Sequence, residues 1–315
     1  MDKRSTLNSN ILVSIVIPCF NEESNIVPLF EDLNKKLIYI PKFEIIYVDD
    51  GSTDNTLIVI KHLSKQDTRI KYISLSRNFG QQNAIKAGLD YALGDCVITM
   101  DGDLQHPSDI IFEMIEKWVE GYQIVNAIRE TGNNIPYFKK ISSQAFYRII
   151  NSTSETYIEP KGADFRLLDR SVVNILKEMK EPSPFFRGLV SWIGFRRTTV
   201  SYKMSKRYSG ISKYSLSKML ILADRGLTSF TTFPLRISFI IGLLSTIAGF
   251  SYGLYALFIA FFTSSAVHGW TSIIICILFY SGIQLIVLGI LGEYVGKIYI
   301  ESKGRPTYII KENNC

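Results

Sequence analysis

The sequence lacks the motifs that mark several large classes of nucleotide-dependent and metal-dependent enzymes. It has no GxxxxGK[ST], which excludes an ATP-hydrolysing P-loop in its usual form, and no GxGxxG after the first predicted strand, which argues against a dinucleotide-binding fold. HExxH is absent, and the four cysteines show neither CxxC pairing nor metal-ligand spacing. This cysteine usage predicts a reducing compartment and no disulfide framework.

Charged residues are missing from one long stretch near the C-terminus. Between Ile237 and Gly292 there is no Asp, Glu, Lys or Arg. Small and polar residues at 263–269 divide the stretch, and each half is long enough for a helix of about 20 residues that crosses the hydrocarbon core. We predict two transmembrane helices at about 237–262 and 270–292, within a hairpin at 235–296. A buried core hairpin is the alternative interpretation.

Basic residues flank this hairpin, whereas its internal loop contains no Lys or Arg. Residues 196–236 carry nine Lys or Arg and one acid, and further basic residues follow the second span. The positive-inside rule therefore predicts that both termini and the N-terminal domain are cytoplasmic in an inner-membrane protein. Met1–Asn10 is polar, which predicts that no secretory signal peptide is present.

Two further segments have the pattern of amphipathic helices lying on a membrane. Apolar residues recur at helical spacing among basic ones in 215–234, and 135–152 has a similar composition. An ordinary surface helix is an equal alternative for the second segment. We therefore predict a cytoplasmic domain over 1–234 that includes both helices, and a cytoplasmic tail over 297–315. The net charge of +6 fits anionic lipid better than nucleic acid as a partner.

Residues 11 to about 130 alternate short β-branched runs with amphipathic stretches. The runs predict strands at Ile11–Pro18, Phe43–Val48, Ile70–Leu75, Cys96–Met100 and Tyr122–Ala127. The stretches between them predict helices at Glu22–Leu37, Asp54–Ser64, Gln81–Ala92 and Pro107–Glu120. This order predicts an α/β domain with a mostly parallel sheet and helices on both faces, whose ligands lie beyond the carboxyl ends of the strands.

Acidic residues follow two of the predicted strands. Asp101 and Asp103 are one residue apart at a strand end and could share one hard cation through their oxygens, with Gly102 leaving room for a diphosphate. Mg²⁺ or Mn²⁺ there would neutralise charge on a leaving nucleoside diphosphate, and Gln105 could orient metal or phosphate. In the second acidic turn, Asp49–Asp54, an aspartate could accept a hydrogen bond from uracil or ribose. The alternative for that turn is a helix N-cap.

Four motifs taken together resemble glycosyltransferase family 2. They are Val16–Glu23, Val48–Asp54, Ser76–Gly80 and Asp101–Gln105. Within the family, the chain is similar to the polyprenyl-phosphate glycosyltransferases, such as dolichol-phosphate mannose synthases and, more closely, the bactoprenol glucosyltransferases of O-antigen modification. Gly162–Leu167, a basic stretch at 207–214 and the two predicted spans also fit this subgroup. The resemblance extends from about residue 11 to about residue 310.

The resemblance implies a GT-A fold and an inverting, metal-dependent transfer of a sugar to undecaprenyl phosphate. UDP-glucose is the donor that it favours, while mannose, galactose, GlcNAc and an aminoarabinose derivative stay open. A processive polysaccharide synthase is the nearest alternative, but its usual QxxRW motif is absent. A catalytically inactive scaffold that binds nucleotide-sugar is a second alternative, against which the intact DxD argues. A homo-oligomer is compatible with the sequence.

Residue roles are carried over position by position. The residues assigned to nucleotide-sugar binding are Pro18, Asn21, Glu22, Asp50, Ser52, Arg77, Asp101 and Gln105. The metal is assigned to Asp101, Asp103 and Gln105. Asp103 and Asp164 are assigned to catalysis. We expect Asp164 to position the acceptor or the sugar and to act as a base only secondarily, because an acceptor phosphate with a second pKa of about 6 is already largely ionised at neutral pH. Arg129, Arg207 and Lys213 are the cations that we expect to offset repulsion between the acceptor phosphate and the diphosphate.

Overall fold

The computed structural model describes residues 10–130, 162–179, 181, 184–203, 233–262 and 269–315. Three predictions lie wholly or almost wholly outside these residues. They are the interface helix at 135–152, the interface helix at 215–234 except for its last two residues, and the acceptor cations Arg207 and Lys213.

One eight-stranded sheet organises the N-terminal domain. Its strands are β1 Leu12–Cys19, β2 Lys42–Asp49, β3 Ile70–Leu75, β4 Cys96–Thr99, β5 Ile124–Arg129, β6 Gly162–Asp169, β7 Arg197–Tyr202 and β8 Ile310–Asn313. Their order in the sheet is β7-β5-β6-β4-β1-β2-β3-β8. The pairs β1–β2, β1–β4, β2–β3 and β5–β7 are parallel, while β6 and β8 run antiparallel to their neighbours. The predicted mixed, mostly parallel sheet is confirmed.

Helices cover both faces of the sheet, as predicted. The helices of this domain are α1 Glu23–Leu37, α2 Thr56–Gln66, α3 Gln81–Tyr91, α4 Ile110–Val119, α5 Arg170–Glu178 and α6 Phe186–Trp192. One apolar cluster joins α1, α2 and α4 to the first face, and a second joins α3, α5 and α6 to the other. Successive β1 residues explain this division, because Ile15 and Ile17 belong to the first cluster and Val16 to the second.

Strand β3 has the predicted bounds, and the other element boundaries in this domain differ from prediction by at most three residues. Helix α2 begins at Thr56 rather than at Asp54, because the Asp54 carboxylate accepts hydrogen bonds from the Thr56 amide and hydroxyl. Helix α4 begins at Ile110 rather than at Pro107, and the residues before it form a turn. These shifts leave the topology as predicted.

The strand directions bring many polar residues to one edge of the sheet. Strands β1 to β5 and β7 all end at this edge. Strand β6 runs the opposite way, so its first residues, 162–164, lie at the same edge. Residues from both halves of the sequence therefore meet there, as expected for ligand sites in open α/β sheets.

Two long helices follow the domain, α7 Phe233–Phe262 and α8 Trp270–Ser302. Within the described residues, one segment, Phe279–Ser302, is long and apolar enough to cross a membrane, and Ile237–Tyr252 is a shorter apolar segment. None of the apolar window in Phe279–Ser302 is buried inside the protein, unlike that of a soluble core helix. The structure thus supports one of the two predicted spans by length and composition, and the other is not confirmed.

The predicted C-terminal tail contributes a strand to the catalytic sheet. Strand β8 pairs antiparallel with β3, with Leu75 opposite Ile310 and Ile73 opposite Asn313. The sequence analysis missed this strand because IKEN carries only one apolar residue. It forms because β3 would otherwise leave a row of unpaired backbone groups at the sheet edge.

Candidate active site

The loops after β1 and β2 are joined by side-chain hydrogen bonds. Asn21 adopts a left-handed backbone (φ 54°), its amide donates to Ser52 Oγ at 3.0 Å, and its side-chain oxygen accepts from the Thr53 amide at 2.8 Å. The Glu22 amide donates to Thr56 Oγ1, and the Glu22 carboxylate accepts from Asn25. Three of the predicted donor-binding residues thus form one connected loop pair.

Asp50 connects this loop pair to the segment 76–80, which follows β3. Its two carboxylate oxygens accept from the backbone amides of Phe79 at 2.7 Å and Gly80 at 2.9 Å. The side chain is buried, and burial raises the pKa of Asp50 to about 6 although the two amides act in the opposite direction. Asp50, predicted to bind nucleotide, therefore already holds a neighbouring loop, using one lone pair on each oxygen.

Gly51 allows the two loops to touch. Its φ is +69°, and a Cβ there would lie 2.5 Å from the carbonyl carbon of Arg77 and 2.7 Å from the amide nitrogen of Asn78. Only glycine permits this backbone approach. Arg77 itself is exposed, with its guanidinium stacked on Phe79 at 4.1 Å from the ring centroid.

Asp101 and Asp103 occupy the turn after β4. Asp101 Oδ1 accepts from Gln81 Nε2 at 2.5 Å, and Asp103 Oδ1 accepts from the Gln105 amide at 3.2 Å. Burial and the nearby carboxylates Asp164 and Asp103 raise the pKa of Asp101, although His106 opposes them. The turn thus concentrates negative charge at the sheet edge.

Gly102 has a different role from the predicted one. A Cβ at this position would point toward Cys19 Sγ, 3.3 Å away, and toward the Pro18 carbonyl oxygen, 3.5 Å away. Gly102 therefore gives close packing against the end of β1 and does not open space for a diphosphate. Cys19 is buried, and burial raises the pKa of its thiol, which is the usual behaviour of a free cysteine that packs as a small hydrophobic side chain.

His106 supports the turn that contains Asp101 and Asp103. Its Nδ1 accepts from the Asp101 amide at 3.1 Å, and its ring stacks on Phe165 of β6 and meets Tyr202 of β7 edge-on. The ring is buried, with Nε2 3.8 Å from Asp101 Oδ2. His106 thus ties the acidic turn to two other strands, and the sequence analysis did not anticipate this.

Asp164 lies at the start of β6 and is held by two arginines. Its Oδ1 accepts from Arg166 Nη2 at 2.9 Å and from Arg187 Nε at 3.5 Å, and its Oδ2 accepts from Gln82 Nε2 at 3.0 Å. Burial alone would raise the pKa of Asp164, but Arg187 and Arg166 outweigh it and the pKa lies below the usual value. A carboxylate with these partners is a poor proton acceptor at neutral pH, which favours positioning over base catalysis.

The first turn of α3 links the two acidic positions. Gln81 donates to Asp101, and Gln82 donates to Asp164 and accepts from the Phe186 amide. Neither glutamine was predicted, because side-chain amides have no motif of their own. We refer to Asp101, Asp103 and Asp164 as the carboxylate cluster.

The predicted acceptor cations are only partly covered by the described residues. Arg129 is exposed at the end of β5, on the same edge as the carboxylate cluster. Arg187 was not predicted, yet it contacts Asp164 and keeps a quarter of its side chain exposed. No spacing rule relates residues 164 and 187, so only the fold brings Arg187 to the site.

A divalent cation fits the donor set of the acidic turn. Asp101 and Asp103 offer hard oxygen ligands, while no group of three or more His, Cys, Asp or Glu side chains forms a cage among the described residues. One or two carboxylates, completed by water and phosphate oxygens, are typical of Mg²⁺ in nucleotide sites. Whether the Gln105 side chain contributes stays a prediction.

Comparison with known proteins agrees with this arrangement. The model of the family described as glycosyl transferase family 2 matches residues 14–174. The chain is 42% identical to an uncharacterized glycosyltransferase, YkcC, of Bacillus subtilis (strain 168), over 98% of this chain and 95% of that protein. This chain belongs to glycosyltransferase family 2.

Other relatives of this glycosyltransferase carry more specific names. It is 41% identical to the bactoprenol glucosyl transferase of Shigella phage SfV, over 95% of this chain and 98% of that protein. It is 40% identical, over the same shares, to a prophage bactoprenol glucosyl transferase homolog of Escherichia coli (strain K12). The predicted resemblance to bactoprenol glucosyltransferases is thereby confirmed.

Among solved structures, the likeness is more distant. A glucosyl-3-phosphoglycerate synthase from Mycobacterium tuberculosis, solved in complex with Mn²⁺, UDP and phosphoglyceric acid, is 17% identical, with a TM-score of 0.48. The alignment covers 70% of this chain and 77% of that chain.

Proposed function

We propose that this glycosyltransferase transfers glucose from UDP-glucose to undecaprenyl phosphate at the cytoplasmic membrane surface, with inversion at the anomeric carbon. The observation that carries the proposal is the carboxylate cluster at the carboxyl edge of the sheet, next to the loops after β1, β2 and β3. Relatives named bactoprenol glucosyl transferase match nearly the whole chain and support the choice of sugar and acceptor.

The reaction is a single displacement. A phosphate oxygen of the acceptor, already anionic at neutral pH, forms the new bond to the anomeric carbon. The bond between that carbon and the diphosphate oxygen breaks, and the leaving nucleoside diphosphate takes the electron pair. Attack from the opposite face inverts the configuration, and no proton has to be removed from the acceptor.

The charged side chains organise this displacement. Asp101 and Asp103 would hold Mg²⁺ or Mn²⁺, which supplies charge neutralisation for the leaving diphosphate. Asp164 orients Arg187, whose partly exposed guanidinium can bind phosphate oxygens. Arg129, Arg207 and Lys213 remain our candidates for additional acceptor contacts. Asn21, Glu22, Ser52 and Arg77 would bind the donor nucleotide.

The topology supports a membrane hairpin with both ends on one side. Strand β7 precedes α7 and strand β8 follows α8, and both strands belong to the same sheet. The chain therefore leaves the catalytic domain and returns to it. If α8 crosses the bilayer, we expect α7 to cross it too, and the basic flanks support a cytoplasmic position for the catalytic side.

The test is glycolipid synthesis by the purified protein. It is incubated with undecaprenyl phosphate, Mg²⁺ or Mn²⁺ and a panel of nucleotide-sugars. We expect one glucolipid from UDP-glucose, and its loss with a chelator. Asp103→Asn should lower turnover by about 10²-fold or more, because it removes a charge that acts on the leaving group.

The matched control is Asp109→Asn, which changes an exposed acid that pairs with Lys36. We expect near-normal turnover from this variant, because exposed ion pairs contribute little. If the folded protein binds UDP yet yields no product with any donor, the transfer reaction is wrong. A product from another sugar would correct only the donor.

A further inference from the structure

The end of the chain docks beside the donor loops. We define the C-terminal segment as residues 304–315, which follow helix α8 directly. Besides pairing through β8, the segment exchanges two hydrogen bonds with Tyr72: the Tyr72 amide donates to Asn314 Oδ1 at 2.6 Å, and the Asn314 amide donates to the Tyr72 carbonyl at 3.2 Å. Lys61 and Glu312 form an ion pair at 2.6 Å.

The segment also contacts the loop 76–80 itself. The Ser76 amide donates to the Ile309 carbonyl at 2.9 Å. Ser76 immediately precedes the two residues whose backbone touches Gly51, and the amides of Phe79 and Gly80 bind Asp50. The loop is therefore held from two sides, by Asp50 within the domain and by the C-terminal segment.

Helix α3 begins where this loop ends and is held by the same segment. Its first residues, Gln81 and Gln82, donate to Asp101 and Asp164. Near its other end, Asp90 accepts from the Tyr308 hydroxyl at 2.7 Å and from Lys86 at 2.5 Å. The C-terminal segment thus contacts both the loop before α3 and the last turn of α3.

We infer that the C-terminal segment is a positioning element of the donor site, which ties the end of helix α8 to the loop 76–80 and, through α3, to the carboxylate cluster. The physical reason is that the loop is exposed at Ser76, Arg77 and Asn78, so few packing contacts hold it. Without the Ile309 carbonyl and β8, the strand that leads into this loop, β3, would be an unpaired edge strand.

The inference rests on the proposed function, because donor use is one of its readouts. Three variants of the full membrane protein test it. The first is a chain that ends at Pro306. The second is Ile310→Pro, which removes a backbone amide from β8, and the third is Tyr308→Phe, which removes the hydrogen bond to Asp90. The matched control is Lys311→Gln, because Lys311 is exposed on the same strand and its backbone is kept.

We expect the truncation and Ile310→Pro to raise the KM for UDP-glucose and the Kd for UDP about tenfold, because small misplacements of binding groups have large effects. In the same two variants, the KM for undecaprenyl phosphate should change less than about twofold. Tyr308→Phe should raise the KM for UDP-glucose and the Kd for UDP by a smaller factor. Lys311→Gln should leave both constants unchanged. Hydrogen exchange should accelerate at the amides of residues 76–82 and not in β1. A synthetic peptide of residues 304–315 should restore UDP affinity to the truncated chain.

Unchanged UDP affinity and unchanged exchange at 76–82 in Ile310→Pro would overturn the inference. Uniformly faster exchange across the sheet, without rescue by the peptide, would also overturn it, because it would indicate a general structural role. Failure of the proposed reaction is distinguishable: the wild-type protein would then make no glycolipid, while UDP affinity and hydrogen exchange would still report on the segment.

Discussion

The two halves of the active edge hold their carboxylates in different ways. On the side of the proposed donor site, Asp49 and Asp50 accept from backbone amides of adjacent loops and from the Ser74 hydroxyl of β3. In the carboxylate cluster, Asp101 and Asp164 accept from the side chains of Gln81, Gln82 and Arg166. The donor side is therefore held mainly by backbone groups, while the cluster is held by side-chain amides and a guanidinium.

This difference has an electrostatic consequence. Backbone amides stabilise a carboxylate with dipoles, and burial still raises the pKa of Asp50. Two guanidinium groups stabilise Asp164 with full charges and lower its pKa. Substitutions in the cluster should therefore affect charge balance, and substitutions on the donor side should affect loop geometry. The predictions below test that contrast.

The largest effect is expected from Asp164→Asn. Asp164 and Arg166 are buried with 8% and 4% of their side chains exposed, so removing one partner leaves a buried charge without its counterion. We expect a loss of about 3 kcal/mol in stability, measured as the melting temperature in detergent, together with loss of transfer. Adding Arg166→Met to Asp164→Asn should recover part of the stability but not activity, because it removes the buried charge that was left without its counterion. A double variant as unstable as Asp164→Asn would contradict this account.

Gly51→Ala should have the next largest effect, and Gly80→Ala is its matched control. Both glycines have positive φ, at +69° and +94°, but only at Gly51 would a Cβ meet backbone, 2.5 Å from Arg77. Gly80→Ala should cost about 1–3 kcal/mol from backbone strain alone, because a φ of 94° with a ψ of 149° is a conformation suited to glycine. Gly51→Ala should cost more and also raise the KM for the donor by about tenfold, because the loop 76–80 has to move. Equal effects of the two substitutions on donor KM would show that the loop contact is unimportant.

The smallest expected effect is the pH dependence contributed by Asp50. Its pKa is raised to about 6 from an ordinary value of about 3.9, so the protonated form favours the folded state. This contribution is present in full below about pH 4, is lost as the pH rises through about 6, and falls by about 1 kcal/mol between pH 5 and pH 7.5. The melting temperature of the wild type minus that of Asp50→Asn should therefore be higher at pH 5 than at pH 7.5. If this difference does not change with pH, the pKa of Asp50 is not raised in the folded protein.

The predicted donor-side residues and the predicted cluster differ in how well sequence reasoning described them. Asn21, Ser52 and Asp50 lie at strand ends, where the alternation of strands and helices predicts ligand-binding loops, and the structure brings them together. Their present contacts, however, are with neighbouring loop residues: Asn21 binds Ser52 and Thr53, and Asp50 binds the amides of Phe79 and Gly80. For the cluster, Asp101 and Asp103 are recognisable as a motif, whereas their supports Gln81, His106 and Arg187 are not.

The two C-terminal helices show the same limit of sequence-based prediction. Absence of charge between residues 237 and 292 predicts two spans, but helix α8 continues to Ser302, past Glu293 and Lys297, which form an ion pair one turn apart. Of the glycines that could permit close packing, Gly249 faces Tyr280, whereas a Cβ at Gly242, Gly282, Gly289 or Gly292 would meet nothing within 4 Å. Hydropathy predicts where apolar helices lie but not which faces they share.

The sequence by itself determined the alternation of strands and helices, the strand-end position of the acidic turns and the uncharged C-terminal stretch, because these depend on periodicity and local composition. Only the tertiary structure decided that Asp164 is paired with Arg166 and Arg187, and that residues 310–313 complete the sheet beside the donor loops. The contacts with Arg187 and with β8 join positions tens to hundreds of residues apart, whereas Arg166 lies only two residues from Asp164. All of these partners are ordinary residues that no local pattern distinguishes. They depend on strand order, which arises when the apolar faces of the strands and helices are buried together.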